Sequence, residues 1–194
     1  MKHIIFATNN QHKLDEIRHI LGNKFKVSGL KEVGLEGDIA ETGTTLAENA
    51  LIKSRFVYEK FRTDCFSDDT GLEVEALNGR PGVFSARYAG EDGNAKKNIE
   101  KLLNELDGVD NRKAAFKTVI SLIMNGKKHF FEGKVTGEIT RQTRGTTGFG
   151  YDPVFIPDGY NQTYAEMSPG LKNKISHRAK AMKNLIGFLN SIDL

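Results

Sequence analysis

The sequence predicts an α/β protein in which helices flank a mixed β-sheet, and three observations lead there. Segments of strand-like and helix-like periodicity alternate through the first half of the chain. Two long β-rich runs, Ala114 to Met124 and Lys127 to Ile139, then follow one another directly across Asn125-Gly126, and a helical pattern closes the chain. Alternation alone would give a purely parallel doubly wound sheet, but a hairpin adds antiparallel pairing, so a mixed sheet fits better.

In chain order, Lys2-His3-Ile4-Ile5-Phe6-Ala7-Thr8 reads as a buried strand. The polar Asn9-Asn10-Gln11-His12-Lys13 leads from it into a helix with Leu14, Ile17, Ile20 and Leu21 on one face, stopped by Gly22. Thr45-Leu46-Ala47-Glu48 is a capping box, after which Leu46, Ala50, Leu51, Val57 and Phe61 form the core stripe of a helix running to about Phe61. A strand around Cys65-Phe66 is expected to break into a glycine turn at Ser67-Asp68-Asp69-Thr70-Gly71. Leu72 to Leu77 then alternates apolar and acidic residues as an extended segment. Asn78-Gly79-Arg80-Pro81-Gly82 reads as a loop, and Asn94 caps a helix to Leu106 that buries Ile99, Leu102, Leu103 and Leu106. Asn125-Gly126 suits the positive φ angles of a type I′ turn, so the two β-rich runs should pair antiparallel. Gly145 to Gly150 is glycine-rich, and Met182, Leu185, Ile186 and Leu189 mark the closing helix.

With 194 residues and 38% hydrophobic content, the chain suits a single compact domain over residues 1–194. Cys65 has no partner for an internal disulfide, and no charged segment with an apolar run opens the chain, which points to the cytoplasm. No apolar stretch approaches the roughly 20 residues of a membrane helix, so no membrane partner is expected. A net charge of +3 suits a small polyanionic substrate and falls well short of the dense basic face of a nucleic-acid binder.

Four stretches carry candidate chemistry. Thr8 to Lys13 offers a hydroxyl, carboxamides, an ammonium and backbone N–H groups at a helix N-terminus, all suited to phosphate; it equally fits an ordinary N-cap turn before a surface lysine. Asp68 and Asp69 form a carboxylate pair that can hold Mg2+ and leave positions for water and phosphate oxygens, or an Asx turn in solvent. Glu41, and Asn49 with Lys53 four residues on, can add to the same pocket. Phe149, between Gly148 and Gly150, can cover one face of a base while Asp152 accepts from a ring N–H; Phe149 and Tyr151 also read as core residues beside a turn. Lys172, His177 and Arg178 are a donor cluster or a solvated helix start.

The combination Thr8-x-Asn10-x-x-Lys13, Glu41-Thr42-Gly43, Glu48-Asn49-Ala50, Ser67 to Gly71, Pro81-Gly82-x-x-Ser85-Ala86-Arg87-Tyr88-Ala89-Gly90, Phe149 to Asp152 and Ser176-His177-Arg178 resembles the inosine triphosphate pyrophosphatase family over nearly the whole chain. The resemblance implies an elongated two-lobed α/β fold on a long mixed β-sheet flanked by helices, with the active cleft between the lobes. It also implies a homodimer and Mg2+-dependent hydrolysis of ITP, XTP and dITP. Carried over by position, Thr8, Asn9, Asn10, Gln11, His12 and Lys13 hold the triphosphate, and Asp69 binds Mg2+ and accepts a proton. Thr70, Phe149, Gly150, Tyr151, Asp152, Lys172, His177 and Arg178 contact substrate, while Lys13, Lys53 and Glu41 match catalytic positions. Asn9 stands where many relatives have glycine. Ala40 stands where some have a further acid, which leaves Glu41, Asp68 or water as the partner of Asp69 at the metal.

The expected mechanism is attack on the α-phosphorus by a water that Asp69 orients or deprotonates, with Lys13 and Lys53 offsetting the developing charge. His177 and Arg178 would meet the 6-oxo group of the purine and Asp152 its N1–H, a pattern adenine reverses. By the resemblance, such an enzyme removes deaminated purine nucleotides from the precursor pool and needs no stable nucleic-acid partner. Two alternatives remain: a pyrophosphatase for other modified nucleotides, and a sensor that holds a nucleoside triphosphate without cleaving it. Adjacent carboxylates beside a polyanion weigh against the sensor, because they make sense chiefly with a metal.

Overall fold

The computed structural model describes residues 2–37, 39–90 and 93–191, with the side chains of residues 16, 20 and 24 outside that description, so the expectation for Ile20 falls outside it too. Its strands are β1 (Lys2–Phe6), β2 (Phe25–Ser28), β3 (Cys65–Val74), β4 (Pro81–Gly82), β5 (Lys113–Met124), β6 (Lys127–Ile139) and β7 (Phe155–Pro157). Its α-helices are α1 (Gln11–Leu21), α2 (Leu46–Phe61), α3 (Ala95–Glu105), α4 (Pro169–Ile175) and α5 (His177–Ser191). The strands form one sheet in the order β2-β1-β3-β5-β6-β7, with β4 added to β3. β1 pairs in parallel with β2 and β3, whereas β4 on β3 and β7 on β6 are antiparallel, so the sheet is mixed as the sequence predicts.

The chain divides into two compact units: Met1–Asp69 with Thr118–Gly133 and Ala179–Leu194, and Thr70–Lys117 with Lys134–Arg178. In the first, alternation along the strands sorts side chains to two faces. Ile4, Phe6, Phe66, Ile120 and Leu122 join Leu14 and Ile17 of α1 and Met182 and Leu185 of α5 in one cluster. Ile5, Ala7, Cys65 and Ile123 face the other way and join Val57 of α2. Phe6 and Phe66, paired across β1 and β3, stack with centroids 4.6 Å apart. A strand covered on both faces must be apolar at odd and even positions alike, which is why Val119-Ile120-Ser121-Leu122-Ile123-Met124 shows no alternation. The second unit has its own core, in which Leu72, Val74, Phe116, Ile139 and Phe155 of the sheet pack with Ile99, Leu102 and Leu106 of the α3 segment.

Local signals act as the sequence says. Thr45 and Glu48 form the capping box of α2, Asn94 accepts from Lys97 N–H to cap α3, and Asn10 does the same for Lys13 N–H at α1. Asn125 and Gly126 take φ of 48° and 74° between β5 and β6. Strands that are hydrogen-bonded neighbours across a two-residue connection run antiparallel.

Three expectations need correction. Ser67 to Gly71 is no turn: β3 runs unbroken from Cys65 to Val74 with both carboxylates inside it. Burial overrides local turn preference here, since Ser67, Asp68 and Asp69 are all buried and Gly71 has no positive φ. The strand end belongs instead to β1, which pairs with β3 only at Ile5–Cys65 and Phe6–Phe66, so Asp68 and Asp69 lie just past the end of their parallel neighbour. The segment after Leu72 leaves the extended form at Val74, because Glu75–Leu77 winds into a 3₁₀ turn closed by Asn78 at φ 54°. Third, Pro81-Gly82, expected within a loop, pairs antiparallel with β3 as the two-residue strand β4; β2 and α4, at four and seven residues, had no sequence expectation because they are too short for periodicity to mark them.

Candidate active site

In the first unit, a cluster of charges forms around Asp68 and Asp69. Past Phe6 the chain enters the α1 cap: Thr8 Oγ1 accepts Asn10 N–H at 3.1 Å, Asn10 Oδ1 accepts Lys13 N–H at 3.2 Å, and Asn9 Nδ2 donates to the Gly37 carbonyl at 2.6 Å. Thr8, Asn9 and Asn10 therefore shape the loop with their own side chains. Gln11 donates to Asp15 at 2.6 Å along the helix, and His12 is exposed. No acidic side chain occupies the first turn of α1, so the positive end of its dipole keeps its pull on an anion. Lys13 reaches Asp68 Oδ1 at 2.9 Å and is the counterion of a carboxylate that is almost wholly buried.

Helix α2 supplies the other half of this cluster. Ser67 Oγ bonds the Ala50 carbonyl, and Ser54 and Ser121 hydroxyls meet at 2.8 Å, which seats the polar face of α2 on the sheet. One turn apart on that face stand Asn49, with no exposed surface, and Lys53. Lys53 Nζ lies 2.5 Å from Glu41 Oε1 and 3.9 Å from Asp69 Oδ1, so two carboxylates converge on one ammonium. Burial and then the neighbouring Glu41 charge push the Asp69 carboxyl up to about 6, against the opposing pull of Lys53, Lys13 and Asn49. Burial alone would lower Lys53, but Asp69, Glu41 and Asp68 together outweigh it and raise its pKa, so it remains an ammonium.

Among the described residues no three His, Cys, Asp or Glu side chains gather as a ready metal cage. Mg2+ asks for less, typically one or two carboxylates completed by water and phosphate oxygens. Glu41 and Asp69 are the carboxylates that would hold it: each is close to Lys53, and the Glu41 charge makes ionisation of Asp69 harder, a repulsion that a divalent cation would relieve. Ala40 supplies no ligand atom.

In the second unit, Phe149, Asp152, Lys172 and Arg178 come together. Asp152 Oδ2 accepts from Phe149 N–H at 2.7 Å and from Lys172 Nζ at 2.6 Å. Burial raises the Asp152 pKa while these two donors and Arg178 oppose it. Gly148, at φ +80°, permits this closeness: a Cβ there would fall 2.2 Å from Asp152 Oδ2. Lys172 Nζ stands 4.5 Å over the Phe149 ring, which is 36% exposed, and the Arg178 guanidinium 5.5 Å from its centroid. His177 stacks on Phe116 at 4.6 Å.

Several expectations resolve here. Arg178 is 2% exposed and His177 is buried too, so this is no solvated helix start. Tyr151 is buried, its hydroxyl donating to the Ser85 carbonyl at 2.9 Å, and Gly150 turns the chain at φ 60°. Thr70 follows Asp69 along β3 and is half-buried. The Ser85 to Gly90 block, with no assigned role in the sequence, is a hydrogen-bonded knot. Ser85 Oγ accepts Leu72 N–H at 2.8 Å and donates to the Gly82 carbonyl at 2.6 Å, and Asn98 accepts Ala89 N–H at 2.7 Å. The sequence signal was Asn98 itself, a carboxamide on the apolar side of α3 beside Ile99 and Leu102.

A dITP/XTP pyrophosphatase of Porphyromonas gingivalis is 57% identical over 190 residues, covering 97% of this chain and 98% of the relative. One of Flavobacterium psychrophilum is 50% identical over 188 residues, covering 97% and 99%. Among solved structures, the Ham1 protein of Staphylococcus aureus superposes with a TM-score of 0.90 at 42% identity, covering 97% of this chain and 98% of its own. A HAM1 protein of Coxiella burnetii gives 0.92 at 39%, covering 99% and 100%. The Ham1 family pattern matches residues 4–188, nearly the whole length, and the chain belongs to the Ham1 family.

Proposed function

We propose that this chain, a nucleoside triphosphate pyrophosphatase, hydrolyses ITP, dITP and XTP to the nucleoside monophosphate and pyrophosphate with Mg2+, and so clears deaminated purines from the nucleotide pool. The observation that carries the reading is a geometric one: the buried Asp69 carboxylate stands beside Lys53, on which Glu41 also converges, an acid placed among the cations a polyphosphate needs. The dITP/XTP pyrophosphatases to which the chain is similar support the choice of substrates.

Mg2+, held by Asp69 and Glu41, would supply positive charge to the phosphate oxygens. Lys13, Lys53 and the α1 N-terminus bind the triphosphate and offset its charge. Asp69 takes a proton from a water whose oxygen bonds to the α-phosphorus. The bond from that phosphorus to the bridging oxygen breaks, and its electron pair leaves with pyrophosphate. In the second unit Phe149 is the aromatic platform for the base. Lys172, His177 and Arg178 are donors for the 6-oxo group, with Asp152 orienting Lys172 and accepting from N1–H. Adenine, with a donor at position 6, leaves these buried donors unpaired, so discrimination of order 10⁴ follows.

The same reading places one catalytic domain over residues 1–194, in the cytoplasm, as a homodimer, with no membrane or stable nucleic-acid partner. Among the described residues no helix is long and apolar enough to cross a membrane. The test is incubation of the pure protein with ITP, XTP, dITP, ATP and GTP, with Mg2+ and with a chelator. Pyrophosphate from the first three, only with the metal, is the expected result; orthophosphate from all five overturns it.

A further inference from the structure

Asn49 carries a buried donor that no described acceptor meets at hydrogen-bond distance, and the group it interacts with is the Asp69 carboxylate. Its Oδ1 accepts the Gly43 N–H at 2.8 Å, which fixes the amide's orientation and leaves Nδ2 to point elsewhere. The residue has no exposed surface, and Nδ2 finds no hydrogen-bond partner among the described residues. Gly43 makes the arrangement possible, since a Cβ there would lie 2.7 Å from Asn49 Oδ1. Leaving a buried amide N–H unsatisfied is destabilising, and such groups call for an explanation in what the site does. The amide faces the Asp69 carboxylate, whose ionised form it favours against the effect of burial, and it sits one helical turn from Lys53.

We propose that Asn49 is a further catalytic residue: its Nδ2 donates to the oxygen of the water that Asp69 deprotonates, and orients it for attack. The inference rests on the function proposed above. A water in that position gives one proton to Asp69, accepts from Asn49 through one lone pair and attacks through the other. The amide thereby selects one orientation of the nucleophile, and loss of such alignment costs about 10²-fold in rate.

The test compares wild type with Asn49→Asp, which keeps an acceptor for Gly43 N–H, and Asn49→Ala, which removes the whole amide. Pyrophosphate release from ITP and direct binding of a non-hydrolysable ITP analogue are measured on each. Expected are folded variants whose analogue Kd stays within roughly threefold of wild type while kcat falls about 10²-fold. Three results overturn the proposal: kcat near wild type in Asn49→Ala, Kd weakening in step with kcat, which makes Nδ2 a phosphate contact, or failure of both variants to fold, which makes the amide structural. A wild type that releases no pyrophosphate from ITP would instead refute the proposed function.

Discussion

Replacing Asp69 by asparagine should abolish turnover and at the same time stabilise the metal-free protein at neutral pH. Its carboxyl is shifted from an ordinary 3.8 to about 6, burial being the first cause. At roughly 1.4 kcal/mol per pH unit, keeping it ionised costs the folded state about 3 kcal/mol, as an order of magnitude. The sign follows from where each state ionises. Below about pH 3 the carboxyl is protonated in both folded and unfolded chains and costs nothing. As pH rises the unfolded chain ionises first, so stability falls until the folded carboxyl ionises near 6, and is flat beyond. Asparagine has no proton to lose. The Asp69→Asn gain should therefore be about 3 kcal/mol above pH 7, about half that at pH 5 and near zero at pH 3, equivalent to a Tm rise of about 6–12 °C at neutral pH. Thermal unfolding with a chelator at pH 5 and pH 7.5 measures it. Adding Mg2+ should then raise the Tm of wild type and leave the variant unchanged. A variant no more stable than wild type at pH 7.5, or a difference that does not shrink by pH 5, would refute the electrostatic account of the site.

Glu41→Gln removes one of the two carboxylates on Lys53 and should raise the Mg2+ concentration needed for half-maximal rate by about tenfold or more, read from a metal titration at saturating ITP. In Gly148→Ala, a methyl 2.2 Å from Asp152 Oδ2 on a backbone at φ +80° should displace the Asp152–Lys172 pair, so KM for ITP should rise more than kcat falls. Unchanged steady-state kinetics would show that the pair does not orient substrate. Leu185→Ala empties a fully buried position of the α1–α5 cluster and should cost about 2–5 kcal/mol in denaturant unfolding without changing KM in the folded fraction.

The elements with local signatures were legible in the chain because their causes lie within a few residues of one another. Thr45 and Glu48 satisfy each other's neighbours whatever the rest of the fold does, Asn94 caps its own helix, and Asn125-Gly126 adopts positive φ wherever two strands need a tight turn. Likewise the motifs from Thr8 to Arg178 identify a family without any contact being known. Sequence also named most members of both charge clusters, because carboxylates, amines and an aromatic between glycines are recognisable by type. What it misplaced were the environments. Asp68 and Asp69 looked like turn residues and became the buried middle of β3, since the decision belonged to β1 ending at Phe6 and to Lys13 and Lys53 arriving from α1 and α2. Arg178, for which a solvated helix start was the alternative to a donor cluster, is among the most buried side chains. Burial and pKa are sums over neighbours distant in the chain, so the residues determined which chemistry was present, and only tertiary packing decided which groups are desolvated, paired and set near Asp69.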